Sequence, residues 1–460
     1  MTERPIPPYH GATRPGRAGL LALVAFAVLG CATPRGHDRA GVSRRVEERF
    51  GQPTDAGGRG DRVVPDDLAR GDVLAEDRAV LLALHNNAAF REALVELDLT
   101  RADLVQAGLL PNPEFVYFWP VHDKPYKYFL DFPVESLWLR PVRIKAAAAE
   151  NERACARLTQ LALDLIRDTR QAYADLQLAH DRVRVAERAV ALRERVAALA
   201  EARLEAGDAS PLEAATARID GLQARQDLTR VGYDVTVAQE RLRNFLGLSS
   251  CSIPLVPDDA LFDPRTDLEA DALVAEAVAT RPDAVAAGHA ARAAGERRRI
   301  ARLGWVRLLG ILDATSGRGT GHEFGPALRM TVPIFNRNQG GVARAEAEFA
   351  QLDRRRETVH NQIVMDVRTA FARYQQARAE LDLLRRKTRP EVEAAIKRAE
   401  AAYKEGNATY LIVLEANRQL IDTYAREAAL YAELRRAWAE LERGVGRRLA
   451  PPVPPEGVPR

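Results

Sequence analysis

Groups able to do chemistry are few in this chain and widely dispersed. His37, His85, His122, His180, His289, His322 and His360 show no spacing that would bring two of them onto one metal ion, and no Cys/His pattern matches a zinc site. No activated nucleophile, phosphate-cradling glycine loop or carboxylate dyad is present, so enzymatic turnover has nothing to rest on and no cofactor is expected. What does recur is a pair of turns, "EAGDAS" ending at Ser210 and "KEGNAT" ending at Thr409, each followed within a few residues by a carboxylate, Glu213 or Glu415. Glu213 closes "SPLE", a capping box with proline at the first helical position, whereas Glu415 has no such local duty.

The remaining reactive group is Cys31. Arg14 and Arg17 precede the apolar run "GLLALVAFAVLG", which is short for a span and reads as a signal peptide over residues 1–30. "VLGC" resembles the lipobox of bacterial lipoproteins, which makes Cys31 the expected site of lipidation (palmitate), and Ala32 in place of Asp points to the outer membrane. Cys155 and Cys251 are left, one in a helical stretch and one in a linker, with a disulfide between them open but unsupported. Lys and Arg number 67 against 64 Asp and Glu, a formal charge of +3, so no large single-sign field recruits nucleic acid. Aromatic content of only 6% beside abundant Ala, Leu, Arg and Glu suggests slender helices with small residues at their seams.

The elements that carry the turns are written twice. Leu130 aligns with Leu328, and Tyr173 with Phe371, each pair 198 positions apart, while Gly207 aligns with Gly406 at 199. An offset so constant marks a duplicated unit of roughly 200 residues. Residues 31–74 read as an extended leader, 75–250 as the first repeat, 251–268 as a linker, 269–447 as the second repeat and 448–460 as a disordered tail. Each repeat runs short helix, strand, strand, very long helix, tight turn, second helix. The first long helix is expected over about 142–206, opened by Pro141, and the second over about 342–405 with a kink at Pro390. At 1.5 Å per residue such helices reach on the order of 95 Å and need a partner alongside. Leu158, Ala162, Leu165, Thr169, Ala172, Leu176 and Ala179 form that seam in one copy, and Ile363, Val367, Ala370, Tyr374, Ala377, Leu381 and Leu384 in the other. Their seven-residue period implies a left-handed coiled coil.

Strands are expected over about 113–137 and 304–335. Phe115, Tyr117 and Trp119 share one face, as do Tyr128, Leu130, Phe132 and Val134, and Leu328, Met330 and Val332, with Lys127, Asp131, Asp313 and Arg329 between them. Segments of about ten residues with this alternation fit tilted transmembrane strands, apolar outward and polar toward a lumen. A small soluble sheet with one buried face, in a secreted coiled-coil scaffold that spans no membrane, fits the alternation too.

"AGLLPNPEF", "VPIFNRNQG", "RPD" (Arg281 to Asp283) and the two glycine turns, by their order and spacing along the chain, resemble the outer membrane factors, or TolC-like efflux channels, and "PIFNRNQG" is most similar to the cobalt-zinc-cadmium type. The resemblance implies a mainly α fold with a small transmembrane β part. Four strands per chain would join a homotrimeric barrel of twelve strands, continued by a coiled-coil periplasmic tunnel. It also implies passive conduction of heavy-metal cations or small toxic compounds, with a periplasmic adaptor and an inner-membrane resistance-nodulation-division pump as partners; type I protein secretion is the alternative within the fold. On the family pattern Gly207, Asp208, Ala209, Ser210, Gly406, Asn407, Ala408 and Thr409 would be the adaptor-docking tip, and Glu415 and Glu213 candidate carboxylates at the entrance gate. Ile412 stands where some relatives carry a second acidic residue. Glu415 is either a pore-facing cation attractor, sensitive to salt, or a solvated outer-face carboxylate.

Overall fold

The computed structural model describes residues 36–51, 73–119, 121, 126–251, 253–259, 262, 264, 268–317 and 321–449. Residues 1–35, with the expected signal peptide and Cys31, lie outside this range, as does His122. Along the chain the elements are α1 (Arg39–Phe50), β1 (Val73–Leu74), α2 (Glu76–Asn86), α3 (Ala88–Gly108), β2 (Glu114–Phe118), β3 (Lys127–Pro133), α4 (Glu135–Glu205), α5 (Pro211–Phe245), β4 (Val256–Pro257), α6 (Ala270–Thr280), α7 (Pro282–Leu303), β5 (Leu308–Gly317), β6 (Gly321–Met330), α8 (Gln339–Leu383), a π-helical turn (Leu384–Thr388), α9 (Arg389–Lys404) and α10 (Tyr410–Val445). They fall into two compact units. One holds Leu99–Glu152 and His289–Asp353, and the other holds His37–Asp98, Arg153–Gly288 and Arg354–Arg460.

The first unit is built on a sheet of order β2-β3-β5-β6, antiparallel throughout, in which β3 of one repeat pairs with β5 of the other. The strand-to-helix passage after β3 is pinned locally. The Val134 N–H donates to Leu308 O at 2.8 Å, the Leu308 N–H donates to the Glu135 carboxylate at 3.0 Å, and Ser136 donates to Pro133 O at 2.6 Å. These bonds start the helix at Glu135, so Pro141 lies inside it rather than opening it, a correction to the expected start near residue 142. β6 ends at Met330, so Val332 and Ile334, expected in the strand, fall beyond it. Pro333 between them has no N–H to give a ladder. The chain then enters α8 through Asn338, whose φ of 63° is left-handed and whose side chain donates to Ala301 O at 2.9 Å. Asparagine tolerates that region better than other side chains.

The second unit is helical. Every member of the second-copy seam from Ile363 to Leu384 is buried and meets Leu430, Leu434, Trp438, Leu441 and Val445 of α10, while Leu158 to Ala179 are buried with Ala238 and Leu242 of α5 and Leu246 just after it. The expected kink at Pro390 takes a particular form. The helix widens into the π turn just before the proline, with the Arg389 N–H reaching Leu384 O, which accommodates a ring that would clash with the preceding turn.

Three boundaries differ from the sequence-based expectation. Within the stretch expected to be extended, α1 forms under an Asp38 cap that accepts from the Gly41 N–H at 3.0 Å, and Val42, Val46 and Phe50 enter the core. Val73–Leu74 pair in parallel with Val256–Pro257 of the linker, and Tyr173 fastens the join by donating to Leu74 O and accepting from the Asp258 N–H, both at 2.8 Å. Arg448 and Leu449 are anchored too, the first through its N–H to Arg49 O at 2.9 Å and the second to Glu442 at 3.0 Å; the rest of the expected tail lies outside the described residues. Cys155 and Cys251 are free thiols.

Candidate functional site

Both glycine turns fold the same way because each must stop a long helix. Gly207 and Gly406 have φ of 84° and 77°, the left-handed conformation that favours glycine. At the first turn the Gly207 N–H donates to Leu204 O and the Asp208 N–H to Arg203 O; at the second, Gly406 donates to Tyr403 O and Asn407 to Ala402 O. Asp208, Ser210, Asn407 and Thr409 are exposed, Ala209 and Ala408 half-buried. A Cβ built on either glycine would touch nothing within 4 Å. Ser210 accepts from the Glu213 N–H at 3.1 Å and Pro211 opens α5, whereas Thr409 makes no side-chain cap.

The turns are also joined to one another. Val196, Ala399, Tyr403 and Val413 form a small apolar cluster beneath them. Over it Tyr403 donates its hydroxyl to Glu213 at 2.7 Å and Tyr410 donates to Asp220 at 2.6 Å. Arg203 lies over the Tyr403 ring, 4.6 Å from its centroid. Burial, reinforced by the neighbouring carboxylate, pushes both phenol pKa values up, so both stay protonated donors in neutral solution. Glu213 therefore caps through its backbone while its carboxylate links two hairpins. Glu415 is exposed and held by Arg418 in two bonds of 3.0 Å and by Gln419 at 3.0 Å; these bonds keep its pKa below the usual carboxylate value.

The two faces of the sheet differ in charge. Register aligns Phe115, Leu130, Leu312 and Pro326 in one row, with Phe132 and Leu328, then Leu308 and Met330, in further rows of the same face. Phe115, Leu312, Leu328 and Met330 are exposed on it, so this apolar face does not wrap a core of the chain. The rows between are mixed: Val116, Phe118, Phe129, Leu309 and Ile311 share them with the charged groups, among which Lys127 and Asp313 pair at 3.6 Å and Arg329 and Asp131 at 3.6 Å. A face of this kind can meet hydrocarbon on one side while the other faces water. Among the described residues no helix is long and apolar enough to cross a membrane, and no group of three or more His, Cys, Asp and Glu could hold a metal ion.

Two features escaped the sequence-based expectations. The tyrosine links could not be read from either repeat alone. Arg281, noted only as part of "RPD", proves to be a buried cation, 1% exposed, that donates to Asp366 at 2.9 Å; Arg443 donates to the same carboxylate oxygen at 2.9 Å. Its place directly between two helices was the available signal.

Coiled hairpins with paired turns, together with a small sheet whose apolar face is bare, define a channel-forming outer membrane protein. The family profile described as "Outer membrane efflux protein" matches residues 138–248 and 273–447, and the chain belongs to that family. It is 26% identical over 398 residues to the cobalt-zinc-cadmium resistance protein CzcC of Cupriavidus metallidurans, covering 81% of this chain and 90% of that one. With the cation efflux system protein CusC of Escherichia coli O157:H7 it shares 26% identity over 301 residues, 60% of this chain and 64% of the relative. A solved CusC structure superposes with a TM-score of 0.68 at 19% identity, covering 90% of this chain and 99% of that one.

Proposed function

We propose that this chain forms the outer membrane duct of a tripartite heavy-metal efflux system, as a homotrimer anchored by a lipid on Cys31. Metal cations such as cobalt, zinc or cadmium would reach it from an inner-membrane pump of the resistance-nodulation-division class through a periplasmic adaptor, and pass outward without energy input from the duct. The observation that carries this reading is the sheet: an exposed apolar face backed by charged pairs, too few strands to close alone, and main-chain edges that hydrocarbon would leave unsatisfied. Similarity to CzcC over most of both chains supports the metal cargo.

The exposed turns 207–210 and 406–409 form the adaptor-docking tip in this reading, since they combine identical backbone geometry with unfilled space around each glycine. Glu213 and Glu415 lie nearby as the entrance carboxylates. Glu213 acts by holding the hairpins together, and Glu415 must release Arg418 before its charge can serve a cation. The test is metal accumulation in a strain lacking the protein. Intracellular cobalt, zinc or cadmium rises and returns to normal on complementation; unchanged metal levels beside accumulation of another solute would remove the metal assignment.

A further inference from the structure

All four junctions between helix and strand fall at one end of the sheet in the first unit. There α3 and α7 lead into β2 and β5, while β3 and β6 lead out into α4 and α8. At this end the apolar character of the sheet continues into solvent. Leu137 is exposed on the first turn of α4, Leu303 and Trp305 are exposed where α7 closes, and Phe335, after β6, is 93% exposed.

Farther from the sheet, each of these junctions carries a cation. Lys145 is exposed two turns beyond Leu137 on the same face of α4, about 12 Å along the axis. Arg299 is exposed one turn before Leu303 on α7, about 6 Å farther from the sheet. Arg337 is exposed two residues after Phe335. Lys145 and Arg337 pair with no carboxylate among the described residues, whereas Lys127 and Arg329 in the sheet each have one. Arg299 and Arg302 reach Glu296 and Glu346, yet the side chain of each remains 55% exposed.

Leucines and rings followed within two turns by Lys and Arg mark a membrane boundary, because the apolar groups meet the edge of the hydrocarbon and the charged stems snorkel to the phosphates. The internal duplication supports a fluid partner over a shaped one. Leu137 and Phe335 are counterparts 198 positions apart, but the counterparts of Lys145 and Arg337 are Ala343 and Leu139. The two copies keep the order, apolar then basic, without keeping the positions. A protein partner would need fixed positions, whereas a headgroup layer needs only charge at the right depth.

We propose that this end of the sheet binds the headgroups of anionic phospholipids in the periplasmic leaflet, with Lys145, Arg299, Arg302 and Arg337 meeting phosphates and Leu137, Leu303, Trp305 and Phe335 meeting acyl chains. This rests on the membrane-spanning reading of the sheet and adds the class of lipid selected. The attraction is electrostatic, worth about five-fold in affinity per cation near an anionic surface, and weakens as salt rises.

Native mass spectrometry of the full-length protein in neutral detergent, titrated with phosphatidylglycerol or with phosphatidylcholine of the same chains, tests this. Wild type should hold phosphatidylglycerol at least ten-fold more tightly. Lys145→Gln, Arg299→Gln and Arg337→Gln combined should bring the ratio near one, while Lys145→Arg, Arg299→Lys and Arg337→Lys combined should preserve it. Inorganic phosphate in large excess should not displace the lipid. Equal retention of both lipids by wild type, an unchanged ratio in the Gln variant, or full displacement by phosphate overturns the inference and leaves the channel reading standing. A wild type recovered from cells without detergent would instead remove the membrane-spanning reading itself.

Discussion

Tyr403 donates its hydroxyl to Glu213 at 2.7 Å, and so ties the turn end of one hairpin to that of the other. Tyr410 and Asp220 repeat the link at 2.6 Å, so each hairpin supplies two partners. Any widening between these hairpins has to break both bonds.

Replacing Tyr403 with Phe keeps the ring in its apolar cluster and removes only the bond, a loss of about 1 kcal/mol. Backbone amide exchange around the two turns should quicken several-fold while the middle of α4 stays protected. The wild-type link should also fail in alkali. A phenol whose folded pKa is raised contributes fully below its unfolded value of 10.0 and loses that contribution as pH climbs through the raised value. Exchange at the tip that is equally slow in Tyr403→Phe would show that the bond does not hold the hairpins.

Gly406→Val should impair export while the trimer still assembles. Its φ of 77° strains a β-branched residue by about 1–2 kcal/mol, although the added side chain meets nothing in the chain itself. Gly406→Asn, which tolerates this backbone, should retain most export. Normal metal tolerance in the valine variant would take the turn out of the docking tip.

Leu328→Lys places a charge on the bare face of the sheet and should lower insertion by about 2–4 kcal/mol if that face meets the middle of the bilayer. Lys127→Gln, on the charged face, should insert normally. The amount of heat-modifiable protein in the outer membrane fraction measures both.

Asp366→Asn removes one of two carboxylates from the buried Arg281, leaving Asp283 at 2.9 Å, and should cost about 1.5–3 kcal/mol, read as a lower urea midpoint. Burial raises the Asp366 pKa, but bonds from Arg281 and Gln362, with the Arg281 and Arg443 charges, outweigh it and hold the pKa below 3.8. A depressed carboxylate contributes above its unfolded value and loses that contribution as pH falls through the folded one, so the wild type weakens below about pH 4. The Asn variant should lose that acid step. Tyr173→Phe offers a comparison at the other extreme, since burial pushes Tyr173 up to about 12; without its oxygen the Asp258 N–H keeps only its longer bond to Leu74 O at 3.3 Å, a loss of about 1 kcal/mol.

Periodicity carried the long helices and the two seams into view, because a heptad of Ala and Leu is local and repetitive. The turns were legible for a related reason, as only glycine ends two such helices with a positive φ. Boundaries were less so. Alternation runs on through Val332 and Ile334 although the ladder stops at Met330, and Pro141 looks like a helix start although Glu135 and Ser136 begin the helix earlier. The Tyr403–Glu213 contact depends on how two hairpins rotate against each other and the Arg281–Asp366 contact on how the α6–α7 junction meets α8, and no single-helix pattern encodes either. The anchoring of α1 was hidden because its three apolar residues stand among charges.

β2 and β6 stand at the two ends of the sheet, and among the described residues neither has a further strand beside it. A newly made copy therefore arrives with two rows of amides and carbonyls still seeking partners, groups that lipid tails do not satisfy. In the proposed trimer, insertion and oligomerisation would consequently be one event rather than two. On that reading siblings would have to meet before, or while, the ribbon enters the bilayer, and a copy without siblings would stall outside it.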